Sequence, residues 1–349
     1  MSKLNGKTLF EHIRDFLKVY LPKQRRCSSN TIAAYRITLE LLIDFAKTKH
    51  HIPIQDVTVE MLDYGLITEY LDWLETERNC SIATRNHRLA AIRAFFTYAA
   101  AIDITVVAAL HELQKIPLKK PVADNPVPHM SETAVKTILN QPDITTSKGI
   151  RNRFFMILMY DTGARVQEMI DLKLCDFRIC KTPTVSLHGK GGKMRTVPLM
   201  EKTVEHLQQY LSVFHADAVM SADTNLFYLV THGIIHPISN DCVGKFVKRY
   251  GETARLTCLE VPENVHPHLF RHSRAMHLYQ HGMDLTLVSQ WLGHANLETT
   301  LVYAHADTEQ KRKAIDAATP KGDPLRGRLN PARYTVSDEN QLKLLYGLK

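Results

Sequence analysis

In the last third of the chain stand His268-Leu269-Phe270-Arg271-His272, then Leu292-Gly293-His294, then Tyr303. Upstream of them all lies Arg165, inside Thr162-Gly163-Ala164-Arg165-Val166-Gln167-Glu168. Two arginines can each grip phosphate oxygens through a planar fork of donors. Two histidines can move or share protons near neutral pH, and a tyrosine can act as nucleophile. Such a set can break and remake a phosphodiester without a metal ion.

The spacing places these groups. His268 and Arg271 are three apart on a helix opened by Pro267, so both leave the same face one turn apart and can reach a single phosphate near the helix start. His272 lies one step round and is expected to point inward. Arg165 follows a turn at Gly163, and Glu168 sits one helical turn later, where a carboxylate can orient a guanidinium or simply form a structural salt bridge. Lys190 tips a glycine-flanked hairpin, His188-Gly189-Lys190-Gly191-Gly192-Lys193, whose backbone can approach a ligand closely; a merely solvated lysine reads the same way. His294 stands just past a helix C-terminus, where a protonated ring gains from the dipole. Tyr303 lies in an apolar stretch, Thr299-Thr300-Leu301-Val302-Tyr303-Ala304-His305. A free phenol has a pKa of ~10, so attack at neutral pH needs cationic neighbours and a proton acceptor, roles open to Arg165, Arg271, His268 and His294. His305 reads as packing or solvent-facing. A competing arrangement makes His266, His268 and His272 a metal cluster, since His268 and His272 are at i and i+4. No glutamate follows the first histidine, and nearby arginines repel a cation, so neither metal nor cofactor is expected.

The order and spacing of these motifs, from Thr162-Gly163 through Tyr303, resemble the tyrosine recombinase (phage integrase) family. The resemblance implies that Arg165, His268, Arg271 and His294 bind and polarise the scissile phosphate, with Glu168 supporting Arg165 and Tyr303 as the nucleophile. Phe270 stands where the family usually has leucine, which keeps an apolar contact. A lysine on the hairpin would protonate the departing 5′ oxygen; Gly189-Lys190-Gly191 matches that place, with Lys193 as the substitute. The implied product is a 3′-phosphotyrosyl link that a second 5′ hydroxyl reverses without ATP. The resemblance further implies a C-shaped clamp around double-stranded DNA, paired recombination sites and a homo-tetramer that passes a C-terminal segment between neighbours. Two other readings stay open: a type IB-like topoisomerase, which needs no partner site, and a non-catalytic sequence-specific DNA-binding protein. Integration, excision, inversion and dimer resolution share one active site and are not separated by these residues.

The elements that position the motifs are mostly helical. A chain of 349 residues, 44% hydrophobic, fits about two domains at ~150 residues each. A formal charge of +8 favours a polyanionic partner. No apolar run approaches the ~18 residues of a membrane span, and Met1-Ser2-Lys3-Leu4-Asn5-Gly6-Lys7 lacks a signal-peptide core, so a cytoplasmic protein is expected. The six cysteines form no Cys-x-x-Cys pair and fit buried thiols in a reducing compartment.

Ser29-Asn30 offers an N-cap to a helix with Ile32, Tyr35, Leu39, Leu42 and Ala46 at helical spacing. Ser81 opens another with Leu89, Ile92, Phe96 and Ala99. Both have acid-free basic edges, which nominate Arg25, Arg26, Arg36, Arg85, Arg88 and Arg93 as DNA contacts over a solvated face. Thr31-x-x-x-Tyr35-Arg36 and Thr84-Arg85-Asn86-x-Arg88-Leu89 also resemble the two best-marked helices of the family's N-terminal DNA-binding domain. Pro117, Pro121, Pro126 and Pro128 deny the next stretch helix and sheet, and Lys119 and Lys120 give it a basic character suited to a phosphate backbone.

Beyond it, Ser131 caps a helix, an apolar helix ends at Gly163, and Thr184–Leu187 with Met194–Leu199 form a hairpin, the one convincing β element. Helices resume at 201–214, 239–255 and 267–280. A short helix capped by Asp284 closes at Gly293, and another starts at Asn296. The expected layout is a helical DNA-binding domain over 1–114, a basic linker over 115–130, an α+β catalytic domain with a short antiparallel sheet over 131–318, and a tail over 319–349. A tail helix over 337–349 would carry a stripe of Leu342, Leu345 and Leu348.

Overall fold

The computed structural model describes residues 8–120, 128–189, 192–216, 223–293, 300–301, 303, 312, 315 and 339–348. The chain divides into two compact units, Met1–Asp124 and Asn125–Lys349.

The first unit is helical: α1 Leu9–Asp15 continued by a π-helical stretch Phe16–Gln24, α2 Ser29–His50, α3 Tyr64–Thr76, α4 Ile82–Ala100 and α5 Val107–Gln114. Four of these starts are set by the same device. Thr8, Ser28, Asp63 and Ser81 each accept a hydrogen bond from the backbone N–H three residues on, satisfying a donor the helix leaves orphaned. The α2 cap is therefore Ser28; Ser29 and Asn30, expected as the cap, already lie in the first turn. Apolar side chains at helical spacing meet in one core that includes Phe16, Leu42, Ile67, Tyr70, Ile92 and Phe96.

Four of the basic residues expected as DNA contacts, Arg85, Arg88, Arg93 and Lys119, have partners inside this unit. Arg85 is 3% exposed and donates from Nη1 to Pro117 O at 2.9 Å and to Asn86 Oδ1 at 3.1 Å. Arg93 donates to the carbonyls of Leu113, Gln114 and Ile116. It thus places a cation where α5 ends and its last carbonyls have no helical partner. Lys119 Nζ reaches Glu75 Oε1 at 2.7 Å, while Asn86 exchanges two hydrogen bonds with the Lys119 backbone. Together these bonds strap the stretch after α5 onto α4 and, through Glu75, onto α3. Arg88 donates to Thr38 Oγ1 at 2.9 Å, joining α4 to α2. Arg25, Arg26, Arg36 and Lys120 remain exposed.

The second unit contains α6 Glu132–Leu139, α7 Ser147–Thr162, α8 Val166–Ile170, a sheet of β1 Phe177–Arg178, β2 Thr184–His188 and β3 Met194–Pro198, then α9 Glu201–Phe214. A second, two-stranded sheet follows, β4 Tyr228–Thr231 and β5 Ile234–Pro237, then α10 Asn240–Arg255, α11 Pro267–Gln280 and α12 Leu285–Leu292. The tail helix spans Glu339–Leu345; the starts expected at Ser337 and Asn296 lie outside the described residues. α7 packs against both α9 and α11, which is why its Phe154, Phe155, Leu158 and Met159 can all be buried. The three strands run antiparallel in the order β1-β2-β3, with Leu187 opposite Arg195 and His188 opposite Met194.

The pair β4 and β5 is thus a further hairpin among the described residues, and the expectation that helices resume directly beyond Met200 is corrected. β4 and β5 join through His232 and Gly233, whose φ values of 51° and 77° are both left-handed, as a tight two-residue hairpin turn requires. Their residues do not alternate between buried and exposed, and all four of β5 are exposed, so the usual two-residue period never appears in the sequence. Among the described residues no helix is long and apolar enough to cross a membrane.

Candidate active site

α7 ends at Thr162, and Gly163 reverses the chain with a φ of 58°. A Cβ there would lie 2.7 Å from the Trp291 ring, so both the dihedral and the space call for glycine. The reversal delivers Arg165 to the N-cap position of α8. Its backbone N–H donates to Glu168 Oε2 and its Nη1 to Glu168 Oε1, each at 2.9 Å.

Glu168 is 3% exposed and holds a second arginine that the sequence reading missed. Arg195, on β3, donates from Nη1 to Oε1 at 2.9 Å and from Nη2 to Oε2 at 2.7 Å, while its Nε donates to Trp291 O at 3.1 Å. Burial alone would raise the Glu168 carboxyl, but the hydrogen bonds from Arg195 and Arg165, with the Arg195 charge, hold it at about 2. A signal for Arg195 exists in the hairpin pattern. It is paired directly with Leu187, cross-strand partners share a face, and Leu187 is buried, so Arg195 is a charge on the core-facing side that must find an anion.

Arg271, from α11, closes the site from the other side. It is 5% exposed and donates from Nη1 to Gly163 O at 2.5 Å and from Nη2 to Leu292 O at 2.7 Å. The turn before Arg165 and the turn that ends α12 are thereby held by one guanidinium. Five N–H donors in the fork leave it able to bind an anion as well. Burial, with the positive charges of Arg165 and Arg195, pulls its pKa down to about 9, which keeps it charged at neutral pH.

His268 is exposed one turn earlier on α11. Its pKa is lowered by partial desolvation and by the positive charge of His266, Arg271 and Arg165. The neutral ring, which can accept or donate, is thereby favoured. Tyr303 is 1% exposed and sits with Ala275, Met276, Val288 and Leu292. Its hydroxyl is 2.8 Å from Nδ1 of His272. Burial raises the phenol pKa, and only Arg271 opposes that. His272 was expected to point inward, with a metal ligand as the competing reading; the structure makes it the hydrogen-bonding partner of the tyrosine.

Two expected site residues, Lys190 and His294, lie outside the described residues. Their immediate neighbours border the same centre. A Cβ on Gly189 would be 3.3 Å from Glu168 Oε1, and Gly189 N donates to Lys193 O at 2.7 Å, closing the hairpin beside the carboxylate. Lys193 itself is exposed. Gly293, with a φ of 66°, ends α12, and a Cβ there would lie 3.0 Å from Arg195 Cδ. Among the described residues no three histidine, cysteine or acidic side chains, His266, His268 and His272 included, are grouped to hold a metal ion.

Arginines from positions far apart in the sequence, two turns fixed by glycine and a tyrosine thus surround one centre. Residues 128–310 match the phage integrase family, and residues 13–102 match the phage integrase N-terminal SAM-like domain. The chain is 31% identical over 321 residues to tyrosine recombinase XerD of Staphylococcus aureus (strain Mu50 / ATCC 700699), covering 90% of this chain and 99% of that one. The chain belongs to the phage integrase family. Another relative of this integrase is tyrosine recombinase XerD of Staphylococcus saprophyticus, 30% identical over 316 residues, with 88% and 98% covered. Among solved structures, XerH site-specific recombinase bound to a palindromic difH substrate, in a post-cleavage complex, superposes with a TM-score of 0.64 at 25% identity, covering 88% of this chain and 87% of that one. The Tn1549 transposon integrase in complex with circular intermediate DNA shares the fold, with a TM-score of 0.64 at 17% identity and coverage of 87% and 98%. The integrase is a tyrosine-type site-specific recombinase with a mostly helical fold and small antiparallel sheets.

Proposed function

We propose that this recombinase cuts and rejoins double-stranded DNA through Tyr303. The phenol oxygen attacks the scissile phosphorus, Arg165 and Arg271 neutralise the charge that builds on the non-bridging oxygens, and the 5′ oxygen leaves with a proton from the hairpin lysine, Lys190 or, in its place, Lys193. His268 and His294 hydrogen-bond the same phosphate. Glu168 and Arg195 do not meet DNA in this scheme; they fix the fork of Arg165 before substrate arrives, so no reorganisation is needed at the moment of reaction.

The observation that carries this reading is the grip of Arg271 on Gly163 O and Leu292 O, which brings the turns before Arg165 and before His294 to one guanidinium. Because Tyr303 is 1% exposed, attack requires the residue to be uncovered, and docking of DNA is the event we assign to that step. The covalent link conserves the phosphodiester energy, so a 5′ hydroxyl of a second duplex reverses it without ATP. Exchange between paired sites calls for several protomers, and we propose a homo-tetramer working on DNA in the cytoplasm. The tail helix fits that assembly: Leu344, Tyr346 and Leu348 are 72%, 75% and 73% exposed, an apolar set that a neighbouring protomer can cover.

The test begins with recovery of the target by sequencing the DNA ends that become covalently bound from a genomic library. A supercoiled plasmid carrying two such sites, incubated with the protein in excess chelator, is expected to yield recombinant circles. Relaxation without exchange would favour a topoisomerase, binding without any covalent product a DNA-binding protein, and activity restored only by a divalent ion a metal-dependent reaction.

A further inference from the structure

Attack by a phenol leaves a proton to be placed, and His272 is the group in position to take it. It stands on α11 one turn after His268, on the same face. Its Nδ1 is 2.8 Å from the Tyr303 hydroxyl, with ring centroids 6.0 Å apart. The sequence motif had left it without a task, and no other partner of the Tyr303 hydroxyl is seen among the described residues.

We propose that His272 is a catalytic residue, the proton acceptor for the Tyr303 nucleophile. The inference rests on Tyr303 being that nucleophile. With Nδ1 unprotonated, the phenol donates to it. As the oxygen–phosphorus bond forms, the proton passes to Nδ1, and the bond from phosphorus to the 5′ oxygen breaks, that oxygen taking its proton from the separate acid on the hairpin. In the rejoining step a 5′ hydroxyl attacks the phosphotyrosine, its proton returns to the hairpin group, and imidazolium 272 hands its own proton back to the departing phenol oxygen. Protons and electron pairs balance, with no further reactant.

The surroundings support the assignment. Desolvation, with the charge of Arg271 and of His268 and His266 when those rings are protonated, lowers the His272 pKa to about 4, so the ring is neutral and able to accept at physiological pH. An anionic phosphate arriving among those cations offsets their charge and raises the basicity of His272 at the moment it is needed. Burial makes the phenol harder to ionise by itself, so direct loss of its proton to solvent is disfavoured. The partial burial of His272 on a helix anchored by Arg271 leaves the acceptor in place when Tyr303 is uncovered.

The test follows covalent adduct formation by full-length His272→Ala, His272→Gln and Tyr303→Phe, using the duplex recovered by library trapping. A second version of that duplex carries sulfur in place of the bridging 5′ oxygen, a leaving group that needs no acid. Gln retains a carbonyl that accepts the phenol hydrogen bond but cannot take the proton. Both His272 variants are expected to bind the duplex as the unmodified protein does and to form adduct about 100-fold more slowly or worse. Their rates should climb about tenfold per pH unit where the unmodified protein is flat, because hydroxide must now remove the proton, and sulfur should not restore them. A Gln variant at full speed would reduce His272 to a positioning residue. An Ala variant faster than the unmodified protein would make the contact a restraint on Tyr303, and full rescue by sulfur would move His272 to the leaving-group side; each result overturns the proposal. Adduct formed by Tyr303→Phe would instead overturn the nucleophile assignment, whatever His272 does.

Discussion

Glu168 accepts hydrogen bonds from two guanidinium groups at once, and the arrangement of Arg165 depends on it. Its side chain is 2% exposed and that of Arg195 13%, so the pair lies where removing one partner leaves a poorly solvated charge. Glu168→Gln is expected to destabilise the second unit by about 3 kcal/mol, read as a lower urea midpoint, and to slow adduct formation by loosening Arg165. The pH dependence has a definite sign. A carboxylate held at about 2 against its ordinary 4.5 contributes its full stabilisation above pH 4.5 and loses it as the pH falls through 2. The gap in urea midpoint between the two proteins should therefore be constant from neutrality to about pH 5 and close only in strong acid. A gap that closes already near pH 6 would mean that another group sets it. Arg165, Glu168, Arg271 and Tyr303 were legible because each sits at a motif position. Arg195 was not, because its partner is reached only when β3 pairs with β2 and turns toward α8. His272 was in view only as a possible metal ligand, since nothing in sequence tells which side chain meets Tyr303.

The glycine-ended turns transmit the helices' positions to the site. Gly163→Ala must adopt a φ of 58° and place a Cβ 2.7 Å from Trp291, whereas Gly282→Ala faces a φ of 92° with open space around it. The first should lose the ~1 kcal/mol or more of a strained backbone plus the cost of moving Trp291, the second the backbone term alone. Thermal unfolding of the two variants measures the difference, and equal losses would show that Trp291 yields freely. Adduct formation should fall in Gly163→Ala, since the same turn carries Arg165 and offers the carbonyl that Arg271 holds. Local chemistry of this kind made much of the helical layout readable: Ser81, Ser131 and Asp284 cap where a cap was expected, and Gly163 and Gly293 end α7 and α12 in left-handed turns. The failures have physical causes. Ser28 and Ser29 have the same hydroxyl, and only the geometry of the first turn separates them. β4 and β5 lack alternation and turn on His232-Gly233 rather than on a commoner Asn-Gly. Arg85 and Arg93 form part of an acid-free edge, yet their partners are carbonyls that the chain presents some 20 to 30 residues later, beyond the reach of any local pattern.

At the scale of the whole molecule, the charge of +8 is not one undifferentiated basic surface. Arg85, Arg88, Arg93 and Lys119 help hold the first unit together, which leaves exposed Arg25, Arg26, Arg36 and Lys120 as the better candidates to meet phosphates. In the second unit one carboxylate, Glu168, holds both Arg165 and Arg195, and Arg271 stays cationic beside them. Binding and bond-breaking are thus assigned to different residues of one chain, and the account joins them through the covalent link on Tyr303. Peptide mapping of the trapped protein–DNA adduct, after nuclease trimming, tests that link most directly. Mass spectrometry should find the nucleotide remnant on the peptide that contains Tyr303, attached through a 3′ phosphate, and no adduct at all from Tyr303→Phe protein that still binds the duplex. A remnant on any other residue, a 5′ linkage, or an undiminished adduct from the Phe variant would contradict the account.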